Sequence, residues 1–333
     1  MPPKISVTIN TYNTGKYFDR AVRSVLNQTF QDFEIVVVDD GSTDSTLEDI
    51  QKVRDEVKDD RIKLFALKKN IGLSAARNIA ISEAKGTWIA ILDSDDWYAP
   101  QRLEKLLELA KSHDADMVAD DLNLTQLNDT KVWSTWFKEN GQVIEDPLTV
   151  DPACFARTDQ YGQRGLHMGL TKPMFKRSFL LEHNLNYDED NKFTQDFWFY
   201  LSCLIKGAKF VVTSEAYYFQ FFRLGSLMRS SQIKRLSKDI ETAEAFLSSE
   251  VIQQDPDLVA AIRTNLKLYR QYIGYYQVAE PLKARNWPLA LKSMVQYPIF
   301  FWHFSRKLPA IVLLRVERYL GIQSNARNSM LSS

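Results

Sequence analysis

The stretch EIVVVDDGSTD, residues 34–44, decides the fold class. Its apolar run, residues 35–38, has no polar interruption, as in parallel strands whose two faces are both covered. Polar turn residues follow at once, and a helix capped near Ser42 or Thr43 is predicted beyond them. The inward face of that helix is predicted to carry Leu47, Ile50 and Val53.

The same order of strand, polar turn and helix occurs on both sides of this stretch. ISVTI (5–9) precedes it, and IKLFAL (62–67) and TWIAIL (87–92) follow it. Gly86 is predicted to close the third helix, and Pro100 is predicted in the first turn of a fourth. Four such alternations predict an α/β fold with a mostly parallel sheet flanked by helices.

Polar residues follow three of these strands directly. In such sheets ligands bind beyond the carboxyl ends of the strands, so we expect the three clusters to meet at one rim. The clusters are Thr11-Tyr12-Asn13, Asp39-Asp40-Gly41-Ser42 and Asp93-Ser94-Asp95-Asp96.

The third cluster lies in AILDSDDW, residues 90–97, where three carboxylates fall within four positions. In extended backbone Asp93 and Asp95 share one side, and paired oxygen ligands suit Mg²⁺ or Mn²⁺. A solvated turn with a helix cap explains the same residues, so both interpretations stay open here. The chain has no GxGxxG and no GxxxxGK[ST] motif, which removes the case for a Rossmann site or a P-loop.

Composition limits the function classes. The 333 residues are 45% hydrophobic and 25% charged, with 42 basic and 42 acidic side chains. A general nucleic-acid binder needs an excess of Lys and Arg, so the equal charges argue against that class. Cys154 and Cys203 lack metal-ligand spacing and fit a reduced, cytoplasmic setting. No apolar run approaches the roughly 18 residues of a membrane-spanning helix.

Four motifs together resemble one family. ISVTINTYN, EIVVVDDGSTD, NIGLSAARN and AILDSDDW, in this order, are similar to family 2 glycosyltransferases of bacterial exopolysaccharide or lipopolysaccharide type. The resemblance implies a GT-A fold over residues 1–230, with a nucleotide-binding half (1–110) and an acceptor half (111–230). Residues 231–333 are expected to form a helical C-terminal region.

The resemblance also implies roles for residues at matching positions. A UDP-sugar would contact Thr11, Tyr12, Asn13, Asp39, Asp40, Arg77, Asn78, Asp93 and Ser94. The metal, Mn²⁺ or Mg²⁺, would be held by Asp95 with Asp93 and Asp96. Asp196, in TQDFWF, would be the catalytic base.

Two positions depart from the family pattern. Asn10 stands where the family usually has Pro, and Gln195 stands where it usually has Glu. Pro at the first position mainly shapes a loop, so Asn10 is expected to be tolerated. Gln195 removes a charge beside the expected base, which puts the contact with the donor sugar, or activity itself, in question.

The predicted function is inverting, metal-dependent transfer from a UDP-sugar to a hydroxyl group in bacterial surface polysaccharide synthesis. The acceptor would be a glycan or a polyprenyl-diphosphate-linked oligosaccharide, reached at the cytoplasmic face of the membrane. Two alternatives stay open: a sugar nucleotidyltransferase, and a non-enzymatic binding protein on a transferase scaffold. The poor phosphate loop NTYNTGKYF weighs against the first, and Asp196 with the intact Asp cluster weighs against the second.

The C-terminal region has an uneven charge. Residues 281–320 contain seven basic side chains and one acidic side chain, Glu317, interleaved with aromatic residues. Such a segment suits an anionic membrane surface, which would make the protein peripheral on the inner face of the plasma membrane. A helical subdomain packed on the protein explains the same pattern.

Overall fold

The computed structural model describes residues 2–126, 128–222 and 231–305. Its strands are β1 (Ile5–Thr11), β2 (Phe33–Asp39), β3 (Ile62–Ala66), β4 (Trp88–Asp93), β5 (Trp97–Tyr98), β6 (Met117–Thr125), β7 (Val132–Thr135), β8 (Leu148–Val150), β9 (Met174–Lys176) and β10 (Phe210–Gln220). Its helices are α1 (Gly15–Leu26), α2 (Thr46–Val57), α3 (Leu73–Glu83), α4 (Arg102–Ser112), α5 (Trp136–Glu139), α6 (Pro152–Thr158), α7 (Arg177–Glu182), α8 (Gln195–Ile205), α9 (Gln232–Leu247), α10 (Glu250–Gln253), α11 (Pro256–Lys283) and α12 (Trp287–Gln296).

The strands form one sheet in the order β3-β2-β1-β4-β9-β6-β10-β5, with β7 beside β6 and β8 beside β10. The strands β3, β2, β1 and β4 are parallel, as expected. Short β9 runs antiparallel between β4 and β6 and joins the two halves of the sheet. The predicted α/β architecture, a mostly parallel sheet flanked by helices, is confirmed.

The core lies on both faces of this sheet. Every residue of β1 and of β2 is buried. Helix α3 packs Ala76 and Ala80 against Val36 and Val38, and these small side chains let the helix approach the sheet closely. That close approach brings Arg77, in the next position of α3, to the rim of the sheet.

The predicted start of α2 was wrong. The helix begins at Thr46, after Ser45, because Ser42 and Thr43 form hydrogen bonds with Asp39 and Asn13 and lie outside the helix. The backbone N–H of Ser42 donates to Asp39, and that of Thr43 donates to Asn13. Leu47, predicted to face inward, is 39% exposed.

Two further boundary predictions were also wrong. Helix α3 ends at Glu83, so Gly86 does not cap it. A Cβ on Gly86 would lie 2.5 Å from the backbone nitrogen of Ser6, so this glycine permits close contact with β1. Helix α4 begins at Arg102 behind Gln101, which leaves Pro100 just outside its first turn.

The chain forms two compact units. The first contains residues 1–124, 132–159 and 164–221, and it holds the sheet. The second contains residues 125–131, 160–163 and 222–333, and its described part includes α9 to α12. Tyr161 joins it by an edge contact with Tyr272 at 4.9 Å between ring centres. In the described segments no helix is both long and apolar enough to cross a membrane.

Candidate active site

The three polar clusters meet at the carboxyl ends of β1, β2 and β4. The backbone N–H of Asn13 donates to the Ser42 hydroxyl at 3.0 Å, which ties the first cluster to the second. The hydroxyls of Thr11 and Thr14 are 2.8 Å apart, and Thr14 and Ser94 are 2.7 Å apart. This buried chain ties the first cluster to the third. Thr11 and Ser94 therefore hold the rim together.

The adjacent carboxylates Asp39 and Asp40 have different environments. Asp39 accepts hydrogen bonds from the backbone N–H and the hydroxyl of Ser42. Asp40 accepts from Asn70 and from the backbone N–H groups of Ile71 and Gly72, so it fixes the loop before α3. Burial raises the pKa of Asp40. Asp39 is therefore linked through Ser42 to Asn13, whereas Asp40 binds the loop before α3.

Tyr12 and Asn78 also differ in what they offer a ligand. The Tyr12 side chain is 44% exposed at the rim, where its ring is accessible for stacking. Asn78 accepts from the backbone N–H of Tyr187 at 2.8 Å and donates to the carbonyl of the same residue at 3.0 Å. Asn78 therefore fixes the segment around Tyr187.

At the centre of the site, two carboxylates and two cations form one network. Arg77 donates to Asp93 at 3.0 Å and to Asp196, and Lys172 lies 3.2 Å from Asp93 and 3.0 Å from Asp196. We call these four residues the charge network. Burial disfavours the charge on Asp93, but Lys172 and Arg77 outweigh it and lower the pKa of Asp93 to about 2.

Lys172 is the member of this network that the sequence analysis missed. Its side chain is 9% exposed, although lysine is rarely buried without a partner. Its carbonyl accepts from Arg102 at 2.6 Å, and Arg102 is held by Asp120 at 2.8 Å. The one sequence signal is a lysine inside the apolar stretch GLTKPMF, which indicates a buried cation.

Asp95 and Asp96 differ in exposure and in hydrogen bonding. Asp96 is 3% exposed, and it accepts from the Tyr218 hydroxyl at 2.6 Å and the Phe221 backbone N–H at 2.7 Å. Burial raises its pKa well above the usual range, and the charges of Asp95 and Asp93 add to the effect. The Asp95 side chain is partly exposed, and its carbonyl accepts from Arg20 at 2.6 Å.

These contacts limit how a divalent ion would be held. Across residues 2–126, 128–222 and 231–305, no group of three or more His, Cys, Asp or Glu side chains is arranged to hold a metal. Asp93 faces two cations and Asp96 faces two protein donors, whereas the Asp95 side chain is partly exposed. Mg²⁺ commonly takes one or two carboxylates and completes its shell with water and substrate phosphates. The residues fit an ion that arrives with a diphosphate.

Several buried polar atoms beside the network have no hydrogen-bond partner within the described chain. They are Asn10 Nδ2, Arg77 Nε, Tyr187 Oη and Gln195 Oε1. Asn10 pairs with Asp93 in the sheet, and Gln195 precedes Asp196 in α8. Leaving such atoms unpaired costs free energy, so a polar ligand that supplies partners would be stabilised here. Both departures from the family pattern are among them.

Comparisons with known proteins show the family to which the chain belongs. The chain matches the Glycosyl transferase family 2 profile over residues 6–179, which is more than half of its length. It is 29% identical over 324 residues to the succinoglycan biosynthesis protein ExoO of Rhizobium meliloti (strain 1021), a match covering 97% of this chain and 90% of that protein.

Two solved structures share the fold. S. aureus TarS 1-349 in complex with UDP-GlcNAc superposes with a TM-score of 0.64 at 23% identity, covering 88% of this chain and 80% of that one. The mannosyltransferase PcManGT from Pyrobaculum calidifontis, in complex with GDP-Man and Mn²⁺, gives a TM-score of 0.54 at 16% identity over 100% of this chain and 84% of that one. The chain therefore belongs to glycosyl transferase family 2 and is a glycosyltransferase with a GT-A fold.

Proposed function

We propose that this glycosyltransferase moves a sugar from a UDP-sugar to a hydroxyl group, with inversion at the anomeric carbon. The observation that carries the proposal is the charge network, which joins one candidate base, Asp196, to two buried cations at the rim of the sheet. Inversion follows from a single base that activates the acceptor opposite the leaving group. Among the fold relatives, TarS is named in complex with UDP-GlcNAc.

The nucleotide is assigned to the part of the rim formed by β1 and β2. Tyr12 would stack on the uracil ring, and Asp39 would accept from a base N–H group in exchange for its bonds with Ser42. Thr11, Asn13 and Ser94 would shape this pocket through the contacts described above. Asp40 and Asn78 would position the loops beside it.

The acceptor is assigned to Asp196 at the start of α8. Its two oxygens accept from Arg77 and Lys172, and each carboxylate oxygen keeps a second lone pair for a hydroxyl proton. General-base catalysis of this kind contributes about 10²- to 10⁴-fold. Arg77 and Lys172 would also interact with the negative charge that develops on the departing UDP.

Asp95 would hold a divalent ion, Mn²⁺ or Mg²⁺, together with the diphosphate of the donor. When bound, the ion would act as a Lewis acid that stabilises the leaving diphosphate. Asp93 would orient Arg77 and Lys172, and Asp96 would fix the backbone on which Asp95 lies. A fold relative named in complex with GDP-Man and Mn²⁺ agrees with this assignment.

The acceptor is proposed to be a glycan or a polyprenyl-diphosphate-linked oligosaccharide, used in surface polysaccharide synthesis. The likeness to ExoO, named for succinoglycan biosynthesis, supports this assignment. The protein would then work as a peripheral protein at the cytoplasmic face of the membrane, where lipid-linked acceptors are accessible.

The proposal is tested by measuring UDP release from a panel of UDP-sugars with Mn²⁺, with and without an acceptor extract. One UDP-sugar should give release that rises severalfold with acceptor, and the product should carry the opposite anomeric configuration by NMR. Release from a GDP-sugar only, or a product with retained configuration, would overturn the donor assignment or the single-base mechanism respectively.

A further inference from the structure

The outer face of α12 carries a row of exposed apolar side chains. Trp287, Leu291 and Val295 follow one another at a spacing of four residues, so they lie along one side of the helix. Their side chains are 60%, 63% and 85% exposed. The opposite side of α12 packs against α11, and Ala290 and Ser293 are buried there.

The residues after α12 show the same division. Phe300 stacks on Tyr275 with 5.5 Å between ring centres, and His303 lies 4.5 Å from Tyr272, so these two side chains attach the segment to α11. Between these two residues, Phe301 and Trp302 are 55% and 50% exposed. A surface segment that is apolar on its outer face as well as its inner face has a second apolar environment to contact.

The charge around this face indicates what that environment is. Lys283, Arg285 and Lys292 are exposed in and beside α12, and residues 281–305 contain no Asp or Glu. A second copy docked on the same face would bring two sets of these cations into one interface without a carboxylate from residues 281–305 to pair with them, which is unfavourable. The C-terminal residues 306–333 are another candidate to cover this face. They carry five basic side chains and one acidic side chain, so their charge does not complement the cations of the face.

We propose that this face, defined by Trp287, Leu291, Val295, Phe301 and Trp302, inserts into the surface of an anionic bilayer. The apolar row would enter the boundary between headgroups and acyl chains, as in interfacial amphipathic helices. The exposed tryptophans suit this depth, where amphipathic aromatic rings are enriched. Lys283 and Lys292 would contact acidic headgroups. The inference rests on the peripheral location given under the proposed function and names the surface that would make the membrane contact.

The test is flotation of the full chain with vesicles of phosphatidylcholine, and with vesicles of equal parts phosphatidylcholine and phosphatidylglycerol. We expect binding to the second vesicle at low salt and little binding to the first. The variant Trp287→Ser/Leu291→Ser/Val295→Ser should bind at least about tenfold more weakly. Lys283→Gln/Lys292→Gln should bind roughly 10- to 30-fold more weakly, because each basic residue near such a surface contributes roughly three- to fivefold.

Matched controls remove exposed groups elsewhere. Val143→Ser/Leu181→Ser/Val251→Ser changes three apolar side chains that are 98%, 52% and 57% exposed, and Lys52→Gln/Lys111→Gln removes two surface charges. Both controls should bind vesicles like the unaltered chain. All variants change surface groups only, so their melting temperatures should stay close together.

Three outcomes would overturn the proposal: no binding to acidic vesicles at low salt, equal loss in the variants and their controls, or a dimer that the apolar variant converts to a monomer while vesicle binding is unchanged. The last outcome would assign the face to a second copy. UDP release in solution, measured without vesicles, tests the transfer reaction separately, so either proposal can fail alone.

Discussion

At the scale of the residue, the structure changes what is expected of Asp196. If Asp196 acted only as a residue in the first turn of α8, asparagine would replace it without loss of stability. In the structure it also accepts from two buried cations. Charge-assisted hydrogen bonds of this kind contribute more than neutral ones, so removing the charge has a cost.

Asp196→Asn is therefore expected to lower turnover by about 10²- to 10⁴-fold, because the amide cannot take the acceptor proton. Unfolding free energy should fall by roughly 1–3 kcal/mol, while Arg77 and Lys172 keep Asp93 as a partner. Turnover is followed by UDP release and stability by urea unfolding. Turnover within a few-fold of the unaltered enzyme would assign the base to another carboxylate.

Lys172→Met is expected to reduce turnover by about 10²-fold with little change in the KM for the donor, if its charge acts mainly on the departing UDP. Lys172→Arg, which keeps the charge, should recover most of the activity. Lys176→Met is the matched control, because Lys176 lies nearby in the chain, is partly exposed and pairs with Asp116 at 3.2 Å. If Lys172→Arg were as inactive as Lys172→Met, the charge would not be the cause.

At the scale of the element, the sequence predicted β1, β2, β3 and β4 because a continuous apolar run followed by polar turn residues is a strong local signal. The start of α2 and the role of Gly86 could not be predicted from local sequence. The first depends on hydrogen bonds between Ser42, Thr43 and the ends of β1 and β2, and the second depends on the close approach of Gly86 to β1. In the sequence, Ser42 has the position expected of a helix cap. In the structure, its hydroxyl donates to Asp39 instead. Lys172 and Asp196 are 24 residues apart, and no local pattern joins them.

Strand β6 provides a prediction on pH. Burial raises the pKa of Asp121 to about 6, although the backbone N–H groups of Leu122 and Phe137 donate to it. The Asp121 carboxyl therefore binds its proton more tightly in the folded state than in the unfolded state. The stability contribution of Asp121 is fully present below pH 4 and is lost as pH rises from about 4 to 6.

Asp121→Asn is accordingly expected to raise the unfolding free energy at pH 7 by about 1–3 kcal/mol, because a neutral amide needs no deprotonation. The gain should shrink as pH falls to 4. Urea unfolding of both proteins across pH 4–8 gives the difference curve, in which contributions of other groups cancel. A difference that does not change over this range would show that Asp121 titrates normally.

At the scale of the whole molecule, nucleotide and metal binding are expected to depend on each other. The described residues contain no group of three or more side chains arranged to hold an ion, and Asp93 and Asp96 already bind protein donors. An ion without a diphosphate would therefore bind weakly. UDP without an ion would face the carboxylate of Asp95 directly, with like charges opposed.

Thermal unfolding of the full chain measures this dependence, since a ligand that binds only the folded state stabilises it. UDP alone and Mn²⁺ alone should each shift the midpoint little, whereas UDP at about 100 times the dissociation constant that it has in excess Mn²⁺ should add about 2.7 kcal/mol. Asp95→Asn should abolish the joint shift and leave the unliganded midpoint nearly unchanged. Asp129→Asn, which alters an exposed turn carboxylate, should retain the full shift. An equal shift by UDP in EDTA and in Mn²⁺ would show that Arg77 and Lys172 neutralise the diphosphate without a metal.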